Sequence, residues 1–410
     1  MKLLTAIIAI IVCFSSCNMI QDSVLESKAK KMFEGQYREG KVKLMKRGDD
    51  NYDVVTIPSL GKEMLVINIH EYFDSISVVK LETTDSSVVG RIDKLYITSE
   101  GIVILDRDKA RSVKLFDHSG KYKHSFGCVG NGPGKFSEAT DLFVAENQVV
   151  ILDQFQNKII VYDMNGDMME EKRIPFIAVQ VGVSSTGKYY FAGSNCQNYH
   201  IDDLVDYNLW SCDSSMQVDS KWFYSNHSED KLSFLSFNNL TKGGEKLWYS
   251  SMHTDSIFSI DNDNLIKKEF VLNYEDNHDM NCFYSDFDKF KEEFNLGKLN
   301  IMMDYIASDD LLLLSISHKT CTNVLFNRRT KAILAFDMIA FDGDANHSLG
   351  YSGTLYNDRV VWFLYPENYL TYNSVKDWNL TPESQELLNQ LSENITHEDN
   401  PVLVFMRPKR

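Results

Sequence analysis

The sequence predicts an all-β fold, a six-bladed β-propeller of four-stranded antiparallel blades that is closed by pairing of N- and C-terminal strands. Three observations predict this fold. Two stretches repeat one pattern of strands and turns, four weaker copies follow, and a strand near each end has no blade of its own. The prediction divides the chain into a signal peptide (1–16), a tether or linker (17–64) and the propeller (65–410).

The repeat is clearest from Ile102 and from Val149, in the stretches IVILDRDKARSVKLFDHSGK and VVILDQFQNKIIVYDMNGD. Each stretch contains an apolar strand ending in Leu-Asp, a short polar loop, and an alternating strand ending in an aromatic residue and Asp. A turn then closes on Gly120 or Gly166. A self-similar unit of about 40 to 50 residues that consists of strands is typical of a propeller blade.

Four weaker copies bring the number of predicted blades to six. Their second strands are the apolar runs YYFAG, LWYSS, LLLLS and VVWFL. We predict their first strands at VQVGVS, LSFLSF, DYIAS and SGTLY, and their third strands at LVDYNLW, DSIFSID, TNVLFN and PVLVFM. The third and fourth blades are the least defined, because the region from Asn195 to Lys246 has few turn signals.

The two ends of the propeller region supply its last strands. The strand ISVVKLE, Ile76–Glu82, precedes the first unit, whereas the last unit lacks an outer strand. Pairing the two completes the sixth sheet and removes its exposed edge. Ahead of the closing strand, LTPESQELLNQL predicts a helix with Thr381 as N-cap and Pro382 as first residue. Its apolar stripe consists of Leu387, Leu388 and Leu391.

The glycine-rich stretch GNGPGKF does not have the spacing of a phosphate loop. Such a loop has four residues between its glycine and the Gly-Lys pair, then Ser or Thr. Three residues separate Gly130 from Gly134, Phe136 follows the lysine, and the stretch leads into a strand rather than a helix N-terminus. We therefore predict a blade-to-blade turn formed by Gly130, Gly132, Pro133 and Gly134.

The N-terminal stretch MKLLTAIIAIIVCFSSC is typical of an export signal. Lys2 precedes an apolar run that is too short to span a bilayer, and small residues lead to Cys17. This pattern predicts that Cys17 carries a lipid anchor, and an ordinary cleaved signal is the alternative. The basic run from Lys28 to Arg47 predicts a solvated tether, or one that contacts anionic headgroups.

Composition narrows the class of partner. The net charge of −16 disfavours nucleic acid, which clustered Lys and Arg bind. The cysteines have no CxxC spacing, which disfavours a zinc site, and Cys196 with Cys212 is the pair that sequence proximity suggests for a disulfide. We expect a monomer without nucleic acid.

The channel mouth is the expected ligand site, because the loops after the second strands and the turns between blades meet there. The candidate residues are Asp106, Arg107, Asp153, Gln154, His253 and His318. Asp106 and Asp153 either contribute to a cation or sugar-hydroxyl site or cap their own turns through backbone N–H groups.

A second set of residues follows the same alignment, three positions further along each blade. Its members are Lys109, Gln156, Cys196, His253, His318 and Glu367. Two histidines and a carboxylate are metal-ligand types, but neighbouring blades lie about 10 Å apart at the rim, against ligand distances of about 2 Å. We expect no metal site at this set of residues. If the protein has a cofactor, Ca²⁺ at the channel mouth is the candidate.

The stretch GNGPGKFSEATDLFVAENQVVILDQFQNKIIVYDMNGD resembles an NHL-type propeller repeat. Together with the lipobox-like signal, SVVKLETTDSSVVGRIDKLYIT and DNPVLVFMRPKR, the chain resembles the six-bladed β-propeller lipoproteins of Bacteroidetes. The resemblance implies an exported propeller, anchored to the outer membrane on its periplasmic or surface side, and implies no particular reaction. Blades three to five lack the Leu-Asp pair, so a ring of equivalent acidic ligands does not follow from it.

The sequence favours a non-catalytic binding or scaffold module for a ligand or an envelope protein. No G-x-S-x-G, HExxH or catalytic-cysteine signature is present. The alternative is a cation-dependent propeller hydrolase or lyase, similar to a lactonase, with its site at the channel mouth. A purely structural role within an envelope complex is a third hypothesis.

Overall fold

The structure of the protein is a computed structural model. It describes residues 27–409 apart from 39, 41, 62, 146, 194–197, 225–237, 252–253, 262, 276–286, 318–320, 342–351 and 371–379. Within these residues strands predominate, and the helices are short.

Six antiparallel sheets form the blades, and each blade has four strands from the channel outward. The inner strands are Lys94–Thr98, Asp141–Ala145, Gln180–Val183, Leu240–Gly243, Ile301–Ala307 and Ser352–Tyr356. The second strands are Gly101–Asp106, Gln148–Asp153, Tyr189–Ala192, Lys246–Tyr249, Leu311–Ser317 and Arg359–Leu364. The third strands are Ser112–Phe116, Lys158–Asp163, Tyr207–Cys212, Ser256–Ile260, Cys321–Asn327 and Val402–Pro408. The outer strands are Tyr122–Ser125, Met168–Arg173, Val218–Tyr224, Leu265–Tyr274, Ile333–Phe336 and Phe73–Lys80.

The blades form a closed ring. Inner strands of neighbouring blades contact each other from blade two to blade six, and blade six contacts blade one in the same way. Blades one and two are joined by the ion pair of Lys94 with Asp141, 2.6 Å. In blade six, Phe73–Lys80 pairs antiparallel with Val402–Pro408. The predicted six-bladed propeller, closed by strands from the two ends of the chain, is confirmed.

Apolar side chains fill the spaces between neighbouring blades, because successive residues of a strand point to opposite faces of its sheet. In blade one, Ile102 packs in a cluster with Val361 of blade six, whereas the next residue, Val103, packs in a cluster with Leu142 of blade two. Further clusters join blades two to four, four to five, and five to six. The core is therefore a set of layers between sheets.

The turn from the third to the outer strand is repeated in blades one to four. Its aspartate is Asp117, Asp163, Asp213 or Asp261. In each turn one carboxylate oxygen accepts the backbone N–H groups two and four residues further on, for example from Ser119 at 2.8 Å and Lys121 at 3.0 Å. The aspartate is the feature common to all four turns, whereas the aromatic residue and the glycine of the aromatic-Asp-x-x-Gly pattern occur in blades one and two.

Residues 27–57 form a segment, here called the N-terminal strap, that covers the outer edges of blades three and four. Lys43–Leu44 pairs in parallel with the outer strand of blade three. Lys46–Arg47 and Asp53–Ile57 pair in parallel with the outer strand of blade four. Val66–Asn68, beyond the strap, pairs with Met338–Ala340, which follows blade five.

Apolar contacts hold the strap in addition to backbone hydrogen bonds. Residues 27–32 are helical, and the buried Phe33 stacks on His200 with ring centroids 4.4 Å apart. Val55 and Ile57 are fully buried against blades four and five. This part of the chain thus differs from the tether expected over 17–64, because alternate apolar residues of the strap reach the core.

Two predicted strands are placed differently by the structure. The stretch LSFLSF, predicted as the first strand of blade four, lies outside the described residues, and the inner strand of that blade is Leu240–Gly243. Gln180 of blade three fixes this position, since its side-chain oxygen accepts the N–H groups of Asn239 and Leu240. The third strand of blade three begins at Tyr207, three residues later than predicted.

Apart from the helical residues 27–32, the described helices lie in connections between strands. They are Ile69–Tyr72, Phe287–Asn295, Pro366–Leu370 and Pro382–Ser392, with a 3₁₀ turn at Asp202–Leu204. The predicted helix at Pro382–Ser392 is confirmed: the Thr381 hydroxyl accepts the N–H of Ser384, and its three leucines are buried. None of the helices in the described ranges is both long and apolar enough to cross a membrane.

Candidate functional site

The aspartates that end the second strands of blades one and two are buried in their own turns. Asp106 accepts the N–H groups of Gly90 (2.7 Å), Arg91 (2.9 Å) and Lys109 (2.9 Å). It thereby joins the loop after its second strand to the segment that enters blade one. This is the arrangement of the turn-capping alternative.

Asp153 has the same arrangement in blade two. Its carboxylate accepts the N–H of Ser137 (2.6 Å), the N–H of Gln156 (3.0 Å) and the Ser137 hydroxyl. Both carboxylates are almost fully buried, at 1% and 0% exposure for Asp106 and Asp153. Their hydrogen bonds are directed to the protein, so we do not place a ligand on them.

The other predicted site residues do not form one cluster in the described part of the chain. Arg107 donates its N–H to Asp93, and Gln154 donates its N–H to the Thr140 hydroxyl. Glu367 is exposed at the start of a short helix. The predicted residues outside the described residues are Cys17, Cys196, His253 and His318. Cys212 is a buried free thiol, and the described residues contain no group of three metal-ligating side chains.

The glycine-rich stretch forms a compact connection between blades one and two. Lys135–Phe136 pairs with Cys128–Val129, and the N–H of Gly130 donates to the Phe136 carbonyl. Gly134 has φ +65°, and its carbonyl accepts the Tyr162 hydroxyl at 2.5 Å. The stretch thus lies between the last strand of blade one and the first strand of blade two, and the Gly134 carbonyl is hydrogen-bonded within the protein.

A cavity of about 420 Å³ opens where the inner strands of blades one, four, five and six begin. Apolar walls come from Leu95, Ile306 and Phe363. Polar and charged side chains also line it: Arg91, Asp93, Lys94, Tyr96, Asn238, Thr241, Lys242, Asp304, Thr354, Tyr365 and Glu367. An apolar pocket with a few convergent polar groups is the usual form of a small-molecule site, and its volume is within the usual range. We name it the channel-mouth cavity.

Buried polar side chains beside the cavity connect one blade to the next. The Lys94 ammonium pairs with Asp141 of blade two, and that carboxylate also accepts the N–H of Val181 in blade three, 2.9 Å. Gln180 of blade three in turn accepts two N–H groups of blade four. These bonds fix the inner strands of blades one to four relative to one another.

Two carboxylates at this end of the channel have raised pKa values. Burial raises the pKa of Asp141, and the attraction of Lys94 opposes the shift. Burial raises the pKa of Asp304 to about 6. Asp304 has no ion pair in the described part of the chain, so its charge is compensated less completely than that of Asp141.

The hydrogen bonds of Asp304 are confined to one oxygen. Oδ1 accepts the Asn238 side-chain N–H at 2.7 Å and the N–H of Tyr305 at 2.8 Å. The inner strand of blade five has an irregular register between Met302 and Asp304, and Asp304 lines the cavity. Its remaining exposure is therefore toward the cavity.

Sequence reasoning placed Asp304 at the start of the predicted strand DYIAS but did not select it as a site residue. The neighbours that bury it come from blades one, four and six, which are distant in the chain. A usable signal was the stretch MMDYIAS, where an aspartate interrupts an apolar inner strand. A buried polar residue in such a strand is more informative than an acidic residue in a turn.

Comparisons with known proteins find a family and a fold. The profile of a family described as Domain of unknown function (DUF4934) matches residues 53–407. No curated protein matches the sequence. A crystal structure from Bacteroides fragilis, described as an exported protein, has a TM-score of 0.71 at 16% identity and covers 87% of this chain and 100% of its own.

Two further solved structures are less similar. A member of the DUF4221 family from Bacteroides vulgatus has a TM-score of 0.46 at 9% identity, covering 82% of this chain and 97% of its own. Virginiamycin B lyase from Staphylococcus aureus has a TM-score of 0.40 at 12% identity, covering 71% and 81%. At these identities the likeness concerns the fold alone.

Proposed function

Since the chain belongs to the DUF4934 family, a family described by no activity, we propose its function from the site: it is an exported, lipid-anchored propeller that binds a small ligand in the channel-mouth cavity. In this proposal the propeller is a non-catalytic binding module. Ligand occupancy is read by a partner of the cell envelope, and the lipid on Cys17 holds the module at the outer membrane.

The observation that carries the proposal is the cavity itself. Its walls include inner strands of four blades, and hydrogen bonds join blade four to blades three and five. A pre-formed site binds without the entropic cost of ordering its own side chains. The nearby Lys94 and Asp141 are paired with each other, which suits a structural and binding role better than proton transfer.

The proposal of export and anchoring is supported by the N-terminal sequence, in which small residues precede Cys17. We expect the full-length protein to incorporate a labelled fatty acid and to fractionate with membranes. A Cys17→Ala variant should lose the label and leave the membrane fraction. Equal labelling of this variant would contradict anchoring through Cys17 and leave the binding proposal intact.

Ligand binding is tested with a variant that fills the cavity. Thr354 is buried on its wall, and a Thr354→Phe change places an aromatic ring in the space. We expect some compounds from a library of small molecules found in cell envelopes to raise the melting temperature of the native protein. The same compounds should not raise the melting temperature of Thr354→Phe. Thr330→Phe, at an exposed turn of blade five, is the matched control and should respond as the native protein does.

The same screen separates binding from catalysis. If a compound that binds in the cavity is converted to product, and chelation of divalent cations abolishes the turnover, the hydrolase or lyase alternative replaces the binding module. If no compound distinguishes Thr354→Phe from Thr330→Phe, the channel-mouth cavity is not the ligand site.

A further inference from the structure

We propose that the ligand of the channel-mouth cavity carries an ammonium group on an apolar body, and that the Asp304 carboxylate receives this group. The inference rests on the proposed function, because it assigns a ligand class to the same cavity. It adds the charge of the ligand and the residue that recognises it.

One carboxylate oxygen of Asp304 is available to a ligand. Oδ1 has both of the hydrogen bonds described for this carboxylate, from Asn238 and from the backbone of Tyr305. Within the described residues, Oδ2 accepts no hydrogen bond, and the residue retains partial exposure where it lines the cavity. A donor that enters the cavity therefore finds one fixed anionic oxygen.

The nearby cations Lys94 and Arg91 are paired with other carboxylates. Lys94 pairs with Asp141 at 2.6 Å and also donates to the Leu142 carbonyl, so its charge is directed to blade two. Arg91 pairs with Asp93 and Asp108 at the rim. Asp304 has no ion pair in the described part of the chain, although Lys94 attracts its charge. Burial accordingly favours its protonated form, and a cationic ligand would relieve the same cost by pairing with the ionised form.

An ammonium group fits this site better than a metal ion does. Calcium takes six to eight oxygen ligands, and the described residues contain no group of three metal-ligating side chains around this cavity. An ammonium group needs one carboxylate and a few further acceptors. The apolar walls formed by Leu95, Ile306 and Phe363 suit the carbon skeleton that such a group would carry.

The test uses three probes of similar shape and different charge: 4-phenylbutylamine, 4-phenylbutanol and 4-phenylbutanoate. We expect isothermal titration calorimetry at pH 7.5 to show the amine binding at least tenfold more tightly than the alcohol, and the carboxylate not binding. Asp304→Asn keeps the Oδ1 acceptor and removes the charge, so the amine should bind it no better than the alcohol. Asp309→Asn, an exposed change on blade five, should bind all three as the native protein does.

Several outcomes would overturn the inference. These are no binding of the amine at millimolar concentration, equal binding of amine and alcohol, tighter binding of the carboxylate, or an amine preference that survives in the folded Asp304→Asn variant. Calcium binding that Asp304→Asn abolishes would replace the ammonium with a metal ion. If other compounds still bind in a way that Thr354→Phe blocks, the proposed function stands and the ligand class is wrong.

Discussion

Blades one and two solve the problem of the exposed sheet edge differently from blades three and four. The outer strand of blade two, Met168–Arg173, is largely exposed and carries two glutamates followed by Lys172 and Arg173, and such charges discourage pairing with another chain. The outer strands of blades three and four are instead covered by the N-terminal strap. A repeat of one blade pattern therefore does not imply one environment for every blade.

The same two regions differ at the end of the second strand. Blades one and two have the caps Asp106 and Asp153, whereas blade three has Asn198, further along a longer loop. The Asn198 amide accepts the N–H of Ile177 and donates to the carbonyl of the same residue. In blade three the corresponding turn is thus capped by an asparagine in place of an aspartate, and the asparagine lies further along the loop.

The largest effect that separates the two regions should follow deletion of residues 27–57. The deletion uncovers the apolar surface that Phe33, Val55 and Ile57 now bury, and each such side chain contributes about 1.5–3 kcal/mol. We expect the melting temperature to fall by about 10 °C. Hydrogen exchange should increase in blades three and four while blades one and two stay protected.

Leu44→Ser is the control for this deletion, because Leu44 lies on the strap and is 61% exposed. It should leave the melting temperature within about 2 °C of the native value. Uniform loss of protection in all six blades would show that the strap stabilises the ring as a whole.

The next largest effect should come from Asp153→Ala. The change leaves the N–H groups of Ser137 and Gln156 without their carboxylate partner in a buried turn. We expect a loss of about 3 kcal/mol in the free energy of unfolding by denaturant. Asp153→Asn keeps an acceptor and should lose less than half as much, and equal losses for both variants would argue against the capping role.

The channel carboxylates of blades two and five also differ in their charged partners. Asp141 has Lys94 as a partner, whereas Asp304 has no ion pair in the described part of the chain. The pKa of Asp304 is raised from 3.8 to about 6, so the folded state binds a proton that the unfolded state has released. Its contribution to stability is therefore fully present below pH 4 and is lost as the pH rises through 6.

Replacing Asp304 by Asn should consequently stabilise the protein at pH 7.5 by about 2 kcal/mol and have little effect at pH 4. Chemical denaturation at both pH values measures the difference. A stability gain that is the same at the two pH values would mean that ionisation of Asp304 is not its source. Asp141→Asn breaks an ion pair and should destabilise at pH 7.5.

The smallest expected effect concerns the turn between blades one and two. Gly134 has φ +65°, where an added Cβ would meet only the flexible Met168 side chain, at 3.0 Å. The cost of Gly134→Ala is then mainly conformational, about 1 kcal/mol, and a shift of the denaturation midpoint measures it. A loss above about 3 kcal/mol would indicate a backbone contact that the φ angle does not explain.

The sequence predicted the blades well where local chemistry determines them. The Leu-Asp and aromatic-Asp-x-x-Gly patterns specify strands and turns within one blade, so blades one and two were placed almost to the residue. The strap was missed because the partners of its strands lie more than 150 positions away in the chain, and two of its strands, Lys43–Leu44 and Lys46–Arg47, are only two residues long.

The candidate site was less predictable for the same reason. The caps Asp106 and Asp153 stood out because they end conspicuous repeats, although their contacts are local. Asp304 acquires its properties from residues of other blades, and its hydrogen-bond donor Asn238 lies in the region from Asn195 to Lys246, which has few turn signals. Sequence patterns report local hydrogen bonding better than they report burial that arises from ring assembly.

The pairing of Lys80 with Val402 has a consequence for biosynthesis. A ribosome delivers the strand Phe73–Lys80 early, and this strand must wait for most of the chain before its partner exists. Throughout that interval its edge is open to other nascent chains. We expect its charged residues Asp74 and Lys80 to limit aggregation during that interval.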